Sequence, residues 1–361
     1  MESLKDYTEE LTETCIKTTT PEYRKEKGQY FTPKLTSDFM VRQFDNLTNR
    51  EKVRILDPCA GVGIFESAIC DYLLAQEKKP KISFHIYEID EQVIKFLRRN
   101  MQKCKELMTR HGFEIKYKIY KKDFILSNAF YFNNEGSFDY DRDGYDLVIS
   151  NPPYYKLRKE SPYSIAMRSL IQGQPNIYPL FMALSAKLLR DNGEMTFLTP
   201  RSYCGGAYFK VFRKWFFEHM IPIKIHVFES RDARFKKHNV LQEILILTVM
   251  RSSELTKKIT ITKSIGENYE IDDSAIRCFN YHDVILKSTN DVMVRIPTSE
   301  IDMQLVKNFE KFKSNVKTSG YKVSTGKVVP FRATDYLLEN TSTEKNSVPL
   351  IWMQNIKNGE I

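Results

Sequence analysis

From about Val53 onward the chain alternates short apolar runs with longer amphipathic ones, and this alternation restricts the fold more than any other feature of its 361 residues. Strands are expected at residues 53–57, 83–88, 114–120, 145–150, 194–199, 224–228 and 243–249. Helices are expected between them, notably at 65–74, 91–111, 177–189 and 206–218. Strands separated by helices require crossover connections. The fold class is therefore α/β, with a doubly wound, seven-stranded, Rossmann-like sheet that is mostly parallel. The last two strands leave little room for a helix between them, so an antiparallel pair is expected near the end. Upstream, Thr32-Pro33 reads as an N-cap followed by a first-turn proline, opening a helix through Val41. Beyond about Arg251 polar stretches interrupt short strands and one amphipathic helix stands out at 302–312, which sets an expected boundary near Arg251.

A chain with 42% hydrophobic and 28% charged residues is of ordinary globular composition. No apolar run reaches membrane-spanning length and the first residues form no apolar leader, so a cytoplasmic protein is expected. The six cysteines (Cys15, Cys59, Cys70, Cys104, Cys204, Cys278) form no Cys-x-x-Cys pair and the 6 histidines do not cluster. Disulfides and metal sites are set aside on that basis. The net charge of +9 favours a polyanionic partner, because Lys and Arg neutralise phosphates.

Four motifs fall at the ends of the first four strands. The first, Asp57-Pro58-Cys59-Ala60-Gly61-Val62-Gly63-Ile64-Phe65, joins a strand to a helix. Gly61 and Gly63 let the backbone turn tightly and approach a ligand, with a helix N-terminus beyond. The Gly-x-Gly-x-x-Gly dinucleotide pattern is incomplete, since Glu66 stands where its last glycine belongs. An acid ahead of the glycines repels phosphate and accepts from an ammonium. That favours the amino-acid half of S-adenosylmethionine over a dinucleotide. The second motif is Tyr87-Glu88-Ile89-Asp90, where Glu88 can accept both hydroxyls of a ribose and Asp90 reads as a helix cap. In the third, Lys122-Asp123-Phe124, Asp123 can accept from an adenine amino group and Phe124 pack on the purine. The plainer reading is a turn aspartate beside a core phenylalanine.

The fourth motif, Asn151-Pro152-Pro153-Tyr154, bears on the reaction. The lone pair of adenine's amino nitrogen is delocalised into the ring, which makes it a poor nucleophile. Two acceptors at that group, the Asn151 side-chain oxygen and the Pro152 carbonyl, draw it toward tetrahedral geometry and localise the pair. Successive prolines fix φ and remove donors, so the loop presents its acceptors rigidly. Tyr154 offers an aromatic face to a base swung out of a helix.

In this order the motifs resemble the amino-group DNA methyltransferases of restriction–modification systems. The cofactor motif precedes the catalytic one, the gamma-type arrangement of type IIG enzymes and type I modification subunits. The likeness spans residues 27–249. Lys27-Gly28-Gln29-Tyr30-Phe31-Thr32-Pro33 is similar to the upstream segment of adenine methylases that closes over the methionine end of the cofactor. Residues 176–181 and 193–200 are similar to later structural motifs. Phe235 falls where family members place a second aromatic beside the flipped base, although a core phenylalanine before the last strand fits there equally.

The resemblance implies S-adenosylmethionine as cofactor, held by Tyr30, Thr32, Asp57, Pro58, Cys59, Ala60, Gly61, Gly63, Glu88, Ile89, Asp123, Phe124 and Asn151. It implies catalytic parts for Asn151, Pro152, Pro153, Tyr154 and Phe235, with double-stranded DNA as substrate. The expected organisation is an N-terminal extension (1–26), a methyltransferase domain (27–250), and a linker with the start of a target-recognition domain (251–361). Residues 323–332 and 349–351 look like that linker, yet a recognition domain is expected to be larger than the C-terminal residues allow. Either the chain stops short of it or a separate specificity or restriction subunit supplies it. The 26 residues ahead of Lys27 are too few for a fused nuclease. An RNA adenine or protein-glutamine methyltransferase would share the catalytic-loop chemistry. A glutamine enzyme leaves the upstream segment and the basic charge unexplained. A non-catalytic DNA-binding subunit is disfavoured by the intact 151–154 loop.

Overall fold

In a computed structural model of the chain, the described residues are 3–134, 138–174, 176–228, 243–252, 258–264, 276–314, 316 and 318–321. All seven expected strands form: β1 (Lys52–Asp57), β2 (Lys81–Tyr87), β3 (Ile115–Tyr120), β4 (Tyr145–Ser150), β5 (Leu189–Pro200), β6 (Met220–Phe228) and β7 (Ile244–Arg251). Two more, β8 (Lys258–Ser264) and β9 (Ile276–Asn280), extend the same sheet to nine strands in the order β3-β2-β1-β4-β5-β7-β6-β8-β9. The first five run parallel, and β7 lies antiparallel to both β5 and β6, as expected of the late pair.

Burial explains the sequence of each strand. All six residues of β4 are buried, the signature of a central strand covered on both faces. Its one acid, Asp146, is held by Arg50 (3.1 Å), Arg190 (3.2 Å) and the backbone N–H of Arg54 (2.7 Å). The edge strand β3 instead turns Lys116 outward, which discourages pairing with another chain.

One face of the sheet carries α1 (Leu4–Lys17), α3 (Lys34–Val41), α4 (Ile64–Leu74) and α5 (Glu91–Arg110), after the short α2 (Pro21–Lys27). The other carries α6 (Phe124–Asn133), α9 (Tyr178–Leu188) and α10 (Lys210–His219), with α7 (Tyr140–Asp143) and α8 (Pro162–Ala166) in the connections. α5 shows why such segments become helices. Val93, Ile94, Leu97, Met101, Cys104 and Met108 recur at helical spacing and are buried, Asp90 caps the start by accepting from Gln92 N (2.8 Å), and Gly112 follows the end.

Three expectations are corrected. Thr32 does not cap α3: the chain enters through Pro33 without a side-chain cap, because the Thr32 hydroxyl is engaged by Asn151 (3.0 Å). The expected boundary near Arg251 is not where the chain divides, because β8 and β9 hydrogen-bond onto the sheet. The division falls between Met303 and Gln304. Residues 1–26 are no loose extension either, since α1 packs on α4 and α5. The expected helix at 302–312 forms as Glu300–Glu310. The linker at 323–332 and 349–351 and the Phe235 segment lie outside the described residues.

Strand order places the motifs. β1 pairs with β2 on one side and β4 on the other, so chain direction away from β1 reverses between β1 and β4. The loops leaving these two strands at their carboxyl ends therefore part and open a crevice, the preferred ligand position in such sheets. The 57–63 and 151–154 loops meet there although 88 residues of chain separate Gly63 from Asn151 (151 − 63).

Candidate active site

The glycine loop holds a shape that other residues would strain. Gly63 has φ +90°, and a Cβ there would lie 2.8 Å from both Asn100 Nδ2 and Leu97 Cδ1. Buried Asn100 clamps the loop from α5. Its Nδ2 donates to Val62 O (3.0 Å) and Gly63 O (2.8 Å), and its Oδ1 accepts from Thr8 (2.9 Å) and Ser67 (3.0 Å). All four bonding positions of the amide are filled.

Three acids gather around this loop. Glu88 Oε2 accepts from Gly61 N (2.9 Å) and Oε1 from Asp90 N (2.8 Å), while burial raises its carboxyl to about 7. Asp57 uses Oδ1 to accept from Cys59 N (3.0 Å), and its buried Oδ2 has no hydrogen-bond partner. Burial, then the neighbouring Glu66 charge, pushes the Asp57 carboxyl well above the usual range. Glu66, also buried, is raised to about 7 by desolvation, and neither of its oxygens is bonded by another residue. Acids this reluctant to ionise suit a cationic ligand, which would stabilise their charged forms.

Beneath the crevice lies a cavity of about 670 Å³, inside the usual size range of small-molecule sites. Tyr30, Pro58, Cys59, Gly61, Glu88, Ile89, Asp123, Phe124, Asn151 and Pro153 line it. Thr32 and Ala60 line a smaller adjoining pocket with Tyr30, Cys59, Gly61 and Asn151. Phe124 is buried and stacks on Phe181 (5.6 Å, 21°), so it presents a fixed ring. Asp123 caps α6 through Oδ1 (Leu126 N, 2.8 Å), and its Oδ2 accepts from Tyr163 (2.8 Å). The turn-aspartate reading is thus correct as far as it goes, and the same carboxylate reaches the cavity. Asp90 also does more than cap α5: its Oδ2 accepts from Tyr23 (3.0 Å) and from Gln29, tying the upstream segment to the rim.

The catalytic-loop candidate is oriented from two sides. Asn151 Nδ2 donates to Tyr30 O (3.3 Å) and Thr32 Oγ1 (3.0 Å). A carbonyl only accepts, so Tyr30 O fixes which end of the amide is nitrogen and turns Oδ1 the other way. There it meets the Tyr154 hydroxyl, which also reaches Leu198 O (2.8 Å). One phenolic proton faces two acceptors. Burial pushes the Tyr154 phenol far above its ordinary range, so it stays a donor. Cys59 Sγ lies 2.9 Å from Ser150 Oγ, with its thiol raised by burial.

Of the residues expected at the site, then, the described ones gather at one crevice. Asp57 and Glu66 sit beneath the loop, and Pro152 is buried behind Asn151. The sequence reading missed Asn100, Tyr163 and Leu198. A lone amide on the apolar stripe of α5 was a usable signal for Asn100. Leu198 acts through its carbonyl, which no side-chain pattern reveals.

The cavity, the orphaned Asp57 oxygen and the carboxylate of Glu88 fit a ligand with an ammonium and a ribose. A Listeria monocytogenes protein assigned to the class I S-adenosylmethionine-dependent methyltransferases has the same fold, with TM-score 0.52, 15% identity, and coverage of 74% of this chain and 75% of that one. The sheet is therefore that of the S-adenosylmethionine-dependent methyltransferases. Residues 68–235 belong to the Eco57I restriction-modification methylase family. The chain is 32% identical over 337 residues to the Type II methyltransferase M.PstI of Providencia stuartii, covering 92% of this chain and 64% of that protein. It is also 32% identical over 336 residues to the Type II methyltransferase M.BsuBI of Bacillus subtilis, covering 91% and 63%. It thus spans slightly less than two thirds of these relatives. Family and fold imply S-adenosylmethionine as cofactor. Among the described residues no helix is long and apolar enough to cross a membrane.

Proposed function

We propose that this chain carries the catalytic core of a restriction–modification methyltransferase acting on the exocyclic (N6) amino group of an adenine flipped out of double-stranded DNA. The observation that carries the reading is the orientation of Asn151, whose nitrogen is held at the upstream segment so that its oxygen faces the Tyr154 side of the crevice.

S-adenosylmethionine, when bound, supplies a methyl carbon made electrophilic by its sulfonium. Asp57 would accept from its ammonium and Glu88 from its ribose. Asp123 would accept from its adenine amino group, and Ile89 and Phe124 would cover the purine. Tyr30 and Thr32 would close the methionine end. The target amine would donate to Asn151 Oδ1 and Pro152 O, which localises its lone pair. Tyr154 can give up Asn151 Oδ1 without leaving its own proton unpaired, because Leu198 O remains as acceptor. Its ring would then stack on the base. The amine proton leaves after transfer, once the nitrogen is strongly acidic.

The Type II methyltransferase relatives and the charge of +9 support DNA as the substrate. Host-DNA protection, a separate specificity or restriction subunit, and a cytoplasmic location belong to the same proposal. Methylome sequencing of a host expressing the gene tests it: modified adenine within one repeated motif is expected, and Asn151→Ala should abolish it while calorimetry still detects cofactor binding. Modified glutamine or RNA with unmodified DNA, methylated cytosine, or near-normal turnover by Asn151→Ala would each overturn it.

A further inference from the structure

We propose that Tyr30 contacts the substrate base, its ring forming the second aromatic wall of the slot that receives the extruded adenine, opposite Tyr154. This rests on the methyltransferase reading above and adds to it a residue otherwise expected to touch cofactor alone.

The Tyr30 and Tyr154 rings are parallel to within 16°, with centroids 6.5 Å apart. A planar base stacked on both requires two van der Waals intervals of about 3.5 Å each, about 7 Å in all. The existing separation is therefore within a fraction of an ångström of a sandwich. Tyr154 is braced for this arrangement. Buried Tyr178 meets its ring edge-on (6.1 Å, 88°), and Leu198 O holds its hydroxyl (2.8 Å).

Tyr30 is fixed to the reaction centre by its backbone, whose carbonyl accepts from the Asn151 amide (3.3 Å). Moving Tyr30 would move the acceptor that orients Asn151, so ring and catalytic amide keep a set relation. Tyr30 also lines the cofactor cavity. One side chain thus borders both reactants, as expected of a wall beside the path of the transferred methyl. A flat apolar surface does not itself distinguish bases. Tyr30 would supply holding energy, while hydrogen bonds at the 151–152 edge supply the choice of amine.

The test separates the two faces of Tyr30. Methylome sequencing first supplies the target motif. A duplex bearing it is then used to measure kcat/KM for DNA at saturating S-adenosylmethionine, and calorimetry with S-adenosylmethionine alone measures cofactor affinity. Tyr30→Leu should lower kcat/KM for DNA by about 5- to 150-fold, the loss of one base–aromatic stack, with cofactor Kd within about threefold. Tyr30→Phe should keep both near the wild-type values. If Tyr30→Leu weakens cofactor binding by that factor and spares kcat/KM for DNA, Tyr30 is a cofactor wall and the proposal falls. It falls equally if Tyr30→Leu changes neither quantity, or if Tyr30→Phe loses as much as Tyr30→Leu. Wild-type adenine methylation that Tyr30→Leu shares in full overturns this assignment alone. A wild-type protein that leaves every adenine unmodified overturns the methyltransferase reading together with it.

Discussion

Replacing Glu66 with glutamine should stabilise this protein at alkaline pH and leave its stability unchanged near pH 4. Glu66 is 1% exposed, with neither oxygen bonded by another residue, and burial raises its carboxyl from 4.5 to about 7. An acid raised on folding binds its proton more tightly in the native state. Its favourable contribution is complete below the unfolded value of 4.5 and is lost as pH climbs through about 7. The shift of about 2.5 units corresponds to about 3 kcal/mol at 1.36 kcal/mol per unit. Glutamine carries no charge at either pH, so Glu66→Gln should recover most of that above pH 8. For a domain of this size the gain amounts to about 6–12 °C in Tm. Asp57 works in the same direction, because removing the Glu66 charge lowers its raised carboxyl. Glu88, raised to about 7 as well, is present in both proteins and cancels in the difference. Scanning calorimetry of both proteins from pH 4 to 8.5 should show Tm curves that coincide at the acid end and diverge between pH 4.5 and 7. A constant offset at every pH would mean that packing, not ionisation, distinguishes the side chains. A loss at pH 8 would show instead that ionised Glu66 has a favourable partner, overturning this account.

Other substitutions probe the same loop and its supports. Asn100→Leu strands Val62 O and Gly63 O together with the Thr8 and Ser67 hydroxyls. At about 1–3 kcal/mol per buried unpaired group, urea denaturation should show at least about 3 kcal/mol lost; a midpoint equal to wild type would refute the clamp. Gly63→Ala must hold φ +90° with its Cβ against Asn100 and Leu97. A cost of about 1–3 kcal/mol is expected, read as weaker S-adenosylmethionine binding in calorimetric titration. Arg213 is buried, donates to Tyr203 O (2.9 Å) and Gly206 O (2.6 Å), and pairs in bidentate fashion with Asp291 (2.8 and 2.9 Å). Arg213→Met should cost about 3–5 kcal/mol by thermal denaturation, and Asp291→Ala in that background should cost little more.

Periodicity made most of the fold legible, because β1 to β7 and the helices between them carry buried faces of regular spacing. The strand ends shifted by a few residues where hydrogen bonding outran the apolar pattern, as at β5, which runs back through polar Arg190, Asp191 and Asn192. β8 and β9 were harder to recognise, since edge strands alternate polar and apolar residues and β9 buries only Phe279. The site was legible wherever a motif carried chemistry on a side chain, as at Gly61, Glu88 and Asn151. It was opaque where a backbone carbonyl does the work, as at Tyr30 and Leu198, or where a residue's partner lies far away in sequence. Thr32 joins these two cases. Its proximity to Pro33 suggested a helix cap, and only tertiary contact shows the hydroxyl committed to Asn151 instead.

The bond from Thr8 to Asn100 spans 92 positions of chain. At about 5–20 residues per second, α1 leaves the ribosome roughly 5–20 seconds before the amide it must meet. During that interval α1 lacks its partner on α5, and the glycine loop, synthesised in between, lacks its clamp. The cofactor cradle is therefore not a local supersecondary unit that forms early and waits for the remainder. It takes shape only when the first and fifth helices dock, so appearance of a binding-competent loop should coincide with closure of that entire helical layer.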